Sequence, residues 1–326
     1  MRLPVRPMMS DILDHMCDSK AAAVWMDDKC MRDVTGPADW RCVVDDRLTE
    51  IAAGFGLASP ALGRAMADAV LAPGKRFRAM VLLIAGEATG GVRPALIDAA
   101  CAIELVHTAS LVFDDLPCMD DAKARRGRPT THLVHGECRA ILAGIALVTE
   151  AMRLLATARG ADADTRARLV ASMSAAIGPA GLCAGQDLDI HAPKDAAGVQ
   201  REQDLKTGAL FAAGFEMFGM LQRLGRADID RLAALGRTLG RAFQSYDDLL
   251  DVQAEASALG KDTRRDTQAP GLARGVLAVR SLPQAQAHYD ALRTEVDDLL
   301  GGCGFDSLPL AAHIARVLPG RASRAA

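Results

Sequence analysis

Aromatic residues are scarce in this chain. Phe, Trp and Tyr together make up 4% of its 326 residues. Strands favour aromatic and β-branched side chains, so this shortage, beside an abundance of Ala, Leu and Arg, predicts helices. The eight cysteines (17, 30, 42, 101, 118, 138, 183 and 303) include no Cys-x-x-Cys pair. That excludes the common zinc spacings and predicts reduced thiols in a cytoplasmic protein. Charge of one sign is missing too. Lys plus Arg number 38 and Asp plus Glu 41, a net charge of −3. So even a balance does not suggest a nucleic-acid binder. The longest uncharged run, Leu169 to Gln186, is mostly Ala, Ser and Gly and contains Pro179. Such small side chains transfer weakly into lipid, so no integral membrane association is expected. Arg2 and Arg6 are followed by Asp11, Asp14 and Asp18, which breaks up any apolar signal segment.

Half of the residues are apolar and 24% are charged, enough for a large buried core. From Leu232, the apolar residues Leu235, Leu239, Phe243, Tyr246 and Leu250 recur every three or four positions. Similar patterns cover roughly 45–70, 75–89, 94–116, 133–158, 163–178, 203–223 and 283–301. No alternating strand pattern stands out. The expectation is an all-α bundle of about ten helices over residues 45–326. Residues 1–44, with both tryptophans, read as an extension of unknown role. Charged loops are expected at 119–131 and 259–272.

Two aspartate clusters stand out. Asp114, Asp115 and Asp120, with Asp121 next, close an apolar helix at Pro117. Carboxylates sit poorly at a helix C-terminus, where the dipole repels them. The second cluster is Gln244, Asp247, Asp248 and Asp251, spaced three and four apart and so on one helical stripe. With Leu250 continuing the apolar stripe, these carboxylates are expected at the edge of a cavity. Either cluster alone could be a solvated acidic surface. Two of them, with no His or Cys partner, select a hard divalent cation, and Mg²⁺ shared with substrate phosphates fits best.

Phosphates call for basic partners. Lys75, Arg76 and Arg78 open one helix, and Arg125, Arg126 and Arg128 follow the first aspartate cluster. Lys206-Thr207 interrupts an apolar region, and Lys261 follows the second cluster. Each alone would read as a solvated basic loop; their order relative to the aspartates is the specific signal. His107 lies seven residues before Asp114 and shares its face.

In these motifs the chain resembles the trans-isoprenyl diphosphate synthases, most closely the bacterial geranylgeranyl diphosphate synthases of the carotenoid type. The resemblance covers roughly residues 45–300. It rests on DDxxxxD, FQxxDDxxD, GKRxR, RRGxPT, KT and GKD in family order. It implies the isoprenoid synthase fold around a deep central cavity, as a homodimer. Asp114, Asp115, Asp120, Asp247, Asp248 and Asp251 would hold about three Mg²⁺ ions on an allylic diphosphate. Arg125, Lys206 and Lys261 would bind that diphosphate. Lys75, Arg78, His107 and Arg126 would bind isopentenyl diphosphate. Gln186 and Asp189 would support the site from behind, and Thr207 and Gln244 would face the developing allylic cation.

The resemblance also bears on product length. Ser110 and Ala109, four and five residues before the first aspartate motif, are small where short-chain relatives carry a blocking aromatic. With the two-residue insertion in that motif, this implies a C20 product made from farnesyl diphosphate. The chain departs from the family at Ala79, where Pro is usual, and at Ala269-Pro270-Gly271, where a lysine is missing. The rival readings are a synthase of C15 or of C25 and longer products, a terpene cyclase, and a regulatory subunit of a heteromeric synthase. A cyclase would need no isopentenyl site, and a regulatory subunit should lack one aspartate motif.

Overall fold

The computed structural model describes residues 37–192, 195–259 and 275–320. Lys261 and the stretch holding Ala269-Pro270-Gly271 lie outside them. The described chain is all-α, as expected. Helices α1 (Pro37–Ala53), α2 (Pro60–Val70), α3 (Phe77–Ala88) and α4 (Pro94–Asp114) come first. A two-residue antiparallel ribbon, Ala124–Arg125 with Arg128–Pro129, leads to α5 (Thr131–His135) and α6 (Glu137–Ala156). Then come α7 (Ala163–Ile177), α8 (Leu182–His191), α9 (Ala196–Gln203), α10 (Ala209–Leu221) and the long α11 (Arg226–Leu259). A 3₁₀ turn at Gly275–Ala278, α12 (Leu282–Gly301) and α13 (Leu308–Val317) complete it.

Several boundaries differ from the periodicity. Helix α1 starts at Pro37, inside the segment read as an extension. Trp40 and Val44 are buried in the main core, so a boundary at 44/45 would cut through a packed helix. The 45–70 pattern is two helices, because Gly54, Gly56 and Pro60 interrupt it. That turn lies directly on α2: a Cβ on Gly63 would stand 2.5 Å from the Gly56 Cα. The 133–158 pattern breaks at Gly136, whose φ of 84° favours glycine.

Helix α4 runs through the middle, packed on α3, α6 and α10. It is long and apolar enough to cross a membrane, yet 78% of that stretch is buried inside the protein. The stretch Ala163–His191 passes the same test of length and composition, with 22% buried. Along α4 only Pro94, His107, Ser110, Leu111, Phe113 and Asp114 are not buried. The last five lie within two turns of its C-terminal end, where the site is built.

Between α9 and α10 the chain keeps helical dihedrals but widens into a π turn, Asp204–Gly208. This single-turn bulge turns Lys206 and Thr207 out of the α register. It is wedged between two glycines. A Cβ on Gly240 of α11 would lie 2.5 Å from the Gly208 Cα, and a Cβ on Gly185 of α8 would lie 2.5 Å from the Lys206 Cα. Gly185→Ala is expected to destabilise the protein by about 1–3 kcal/mol through overpacking against backbone. A lower midpoint in urea unfolding measures it. Cys183→Ala, at an exposed position on the same helix, is expected to stay within about 0.5 kcal/mol.

Candidate active site

The end of α4 and the middle of α11 bring both aspartate clusters to the π turn. Asp114 is the last residue of α4. The chain turns at Leu116-Pro117 and folds back, so that the Asp120 N–H donates to the Asp114 carbonyl at 2.9 Å. That return offsets the six-residue spacing, which on a straight helix would have separated the two carboxylates. Burial pushes Asp114 up to about 6; the charges of Asp120 and Asp115 add to this, while Lys206 and Arg125 oppose it.

Asp247, Asp248 and Asp251 lie along one continuous helix, as their spacing predicts. Burial pushes Asp247 up to about 6, with Asp251 and Asp248 adding to it and Arg78 and Lys75 pulling it down. Asp248 accepts from Gln244 Nε2 at 3.0 Å and from the Val276 N–H at 2.8 Å. Gly275, at φ 57°, is what lets the 3₁₀ turn close on it, since a Cβ there would collide with the Asp248 carboxylate. Leu250 is 40% exposed rather than packed; Tyr246 and the buried Leu249 carry the contact with Val276 and Tyr289.

The π turn joins the clusters. Lys206 Nζ donates to Asp189 Oδ2 at 2.6 Å, and its charge reaches Asp114. Asp189 in turn raises Asp248 electrostatically. Thr207 donates to Gln244 Oε1 at 3.1 Å, continuing to Asp248. Gln186 is buried, its Nε2 is 3.9 Å from Met119 Sδ, and its Oε1 has no partner.

A second set of basic residues neighbours the aspartates and is felt at Asp247. Arg78 Nη1 is 3.3 Å from His107 Nε2. Burial and the nearby arginines hold His107 well below its usual pKa, so the ring is neutral and accepts. Arg78 also lies over Phe211 at 4.7 Å and Phe243 at 5.5 Å from the ring centroids. Its pKa falls to about 10, chiefly by burial, with Glu104 and Asp247 opposing the fall. Arg126, at φ 52°, places its guanidinium against Gly74, where a Cβ would meet Nη1 at 2.7 Å. Lys75 is exposed, and its charge is felt at Asp247.

Asp115 departs from expectation. It is grasped by Arg125, with Nε at 2.8 and 3.0 Å from its two oxygens and Nη2 at 2.7 Å from Oδ1. Its side chain is 4% exposed. Asp115 therefore orients Arg125 instead of offering an open carboxylate beside Asp114. Ala109 departs as well. It is fully buried, whereas Ser110 is partly exposed with its hydroxyl donating to the His107 carbonyl at 2.9 Å.

Glu104 escaped the sequence reading, and Arg76, read there as a basic partner for phosphate, serves instead as an anchor within the protein. Glu104 is buried in α4, accepts from the Ala79 N–H at 3.2 Å and faces Arg76 at 3.8 Å. Arg76, 5% exposed at φ 49°, binds Asp45 at 2.8 Å and the carbonyls of Val70 and Ala72. A lone glutamate in the apolar run CAIELV was the available signal.

Residues 59–288 match the sequence profile of a family described as polyprenyl synthetase. The chain belongs to the polyprenyl synthetase family. It is 41% identical over 210 residues to a geranylgeranyl diphosphate synthase of Pantoea ananas, covering 63% of this chain and 68% of that one. It is 39% identical over 236 residues to the synthase of that name from Pseudescherichia vulneris, covering 70% and 75%. Among solved structures, an FPP/GFPP synthase from Zymomonas mobilis superposes with a TM-score of 0.70 at 28% identity, covering 87% of this chain and 98% of that one. A geranyltransferase from Helicobacter pylori gives 0.71 at 27%, covering 87% and 97%.

In this polyprenyl synthetase family member the Asp115–Arg125 pair is asymmetric. Arg125 is 35% exposed, so removing Asp115 returns a cation to water, while removing Arg125 leaves a buried carboxylate unpaired. Arg125→Ala is expected to cost several kcal/mol more in urea unfolding than a surface arginine such as Arg226→Ala. Asp115→Ala is expected to cost less than Arg125→Ala.

Proposed function

We propose that this chain is a chain-elongating prenyltransferase that condenses isopentenyl diphosphate with farnesyl diphosphate to give geranylgeranyl diphosphate. The observation that supports this is a set of six side chains, five cationic, gathered beside the aspartates, more than one diphosphate needs. Arg125 and Lys206 suit one diphosphate; Lys75, Arg78, neutral His107 and Arg126 suit a second, where a cyclase binds one. The relatives named geranylgeranyl diphosphate synthase favour the C20 product.

The acidic groups fit Mg²⁺. Asp114, Asp120, Asp247, Asp248 and Asp251 offer oxygen alone, and burial, with neighbouring carboxylates adding to it, raises Asp114 and Asp247. Among the described residues no three carboxylates converge into a cage. Mg²⁺ keeps several waters and takes substrate phosphates as ligands, and the family resemblance implies about three ions. When bound, Mg²⁺ supplies neutralising charge for the departing diphosphate. Arg125, fixed by Asp115, and Lys206, fixed by Asp189, hold that diphosphate, with Lys261 assigned by its motif. Arg78 and Arg126 orient isopentenyl diphosphate so that its double bond meets the allylic carbon as the C–O bond breaks. Thr207 and Gln244 present oxygen atoms to the allylic cation. The proton lost after C–C bond formation passes to the released diphosphate, so no protein base is required.

The assembly proposed is a homodimer. Leu133, Val134, Ile141, Leu142 and Ile145 of α5 and α6 are 42–57% exposed and form one apolar face. A second copy covers it. Free thiols at all six described cysteines suit a cytoplasmic protein.

Incubation with labelled isopentenyl diphosphate, each allylic primer and MgCl₂ is expected to give mainly a C20 product by chromatography. A lack of condensation with every primer overturns the assignment. Asp114→Asn and Asp247→Asn are each expected to lower kcat about 10²–10³-fold with unchanged helical circular dichroism. Ile145→Glu is expected to shift the protein from dimer to monomer in sedimentation velocity.

A further inference from the structure

The chain has eight phenylalanines, and three of them gather at Arg78. Phe77 opens α3, Phe211 lies in the first turn of α10 and Phe243 in the middle of α11. The Phe77 ring centroid is 5.8 Å from that of Phe211, edge to face, and 5.7 Å from that of Phe243, with the planes 22° apart. Arg78 lies over the last two rings. A fourth ring joins them from the far end of the chain. His313 of α13 stacks on Phe77, with centroids 5.7 Å apart and planes at 21°. Helix α13 lies beyond residues 59–288, the part that matches the family profile.

His313 is used for its shape. Both ring nitrogens are buried, and neither has a hydrogen-bond partner among the described residues. Burial and the charge of Arg316 hold its pKa below the usual value, so the ring is neutral. A histidine that neither bonds nor carries charge offers a flat face, and the face it meets is Phe77. Phe77 immediately precedes Arg78, so holding its ring also holds the backbone from which Arg78 departs. Arg78 has little else to fix it. Its guanidinium makes one hydrogen bond among the described residues, to His107, and its Nε is buried without a partner. Gln244, beside Phe243, is by contrast held by both Thr207 and Asp248. The group that depends on the ring cluster is therefore Arg78.

We infer that His313 is a positioning residue for isopentenyl diphosphate: by stacking on Phe77 it holds the phenylalanine cluster under Arg78, and so makes α13 part of that substrate's site. The inference rests on the chain-elongation reading and deepens it. His313 acts through Phe77 and not by touching substrate. The allylic diphosphate, assigned to Arg125 and Lys206, does not depend on it.

The test is steady-state kinetics with Mg²⁺, varying isopentenyl diphosphate at saturating allylic primer and then the reverse, with the primer that wild type uses best. His313→Ala is expected to raise the KM for isopentenyl diphosphate about 5–10-fold, as when a desolvated cation–π contact loosens. Its kcat and its KM for the primer are expected to stay within about twofold of wild type. His313→Phe keeps the flat ring and is expected to restore the wild-type KM. It is also expected to raise the midpoint of urea unfolding, because no buried N–H is left without a partner. Ile314→Val, at the fully buried neighbouring position, is expected to lower that midpoint with both KM values unchanged. An unchanged KM for isopentenyl diphosphate in His313→Ala overturns the inference. So does a rise shared equally by both substrates, a rise of the same size in Ile314→Val, or a His313→Phe that fails to restore the wild-type value. Should His313→Ala not fold, His313→Leu, ringless and of similar bulk, takes its place under the same criteria. A wild type that makes no condensation product overturns the elongation reading and this inference with it; a wild type that elongates beside an unchanged His313→Ala overturns this inference alone.

Discussion

The basic half of the site depends on one buried carboxylate. Glu104 sits in α4, 3% exposed, and its charge reaches Arg76, Arg78 and Arg126. Burial pushes its pKa up and these guanidiniums pull it down. Without it, three neighbouring cations would be left with Asp45 on Arg76 and the charge of Asp247 on Arg78 to oppose them. Glu104 also fixes backbone, through the Ala79 N–H in the first turn of α3. Arg76 adds a second anchor by tying the end of α2 to the start of α3. The geometry at Arg78 thus rests on a contact made inside the core, about three turns from the aspartates.

The acidic half is held differently. Its carboxylates are spread over the end of α4, the middle of α11 and Asp189 of α8. Three of them are held individually, Asp115 by Arg125, Asp189 by Lys206, and Asp248 by Gln244 and the Val276 N–H. Charges and dipoles placed in advance do not have to reorganise when a leaving group develops charge, which is the electrostatic advantage of a rigid site. The two halves meet where Arg78 and Lys75 are felt at Asp247.

Much of this was legible in the sequence wherever the signal was periodic. The stripe through Gln244, Asp247, Asp248 and Asp251 follows from spacing alone, and α11 confirms it. The order of the basic motifs identified the family. Signals that depend on a partner far along the chain were hidden. Nothing near Asp115 says that Arg125 will fold back onto it, and nothing near Phe77 says that His313 will stack on its ring. Leu250 fits a helical repeat, yet the helix turns it to solvent and buries Leu249. Trp40 looked peripheral because the pattern before residue 45 is weak, while its ring is buried and donates to Glu87 at 2.9 Å. The residues that hold functional side chains in place were read less well than those side chains themselves.

The π turn at Asp204–Gly208 carries a further consequence. A π turn holds one more residue than the α turn it replaces, so everything after it is rotated by about 100° relative to an uninterrupted helix. Losing a single residue between α9 and α10 would produce a more regular helix and a better-bonded backbone. It would also carry Lys206 and Thr207 around the axis, away from Asp189 and Gln244. In this segment local regularity and chemical competence pull in opposite directions. The glycines wedged on either side, Gly185 and Gly240, are what let the less regular form pack.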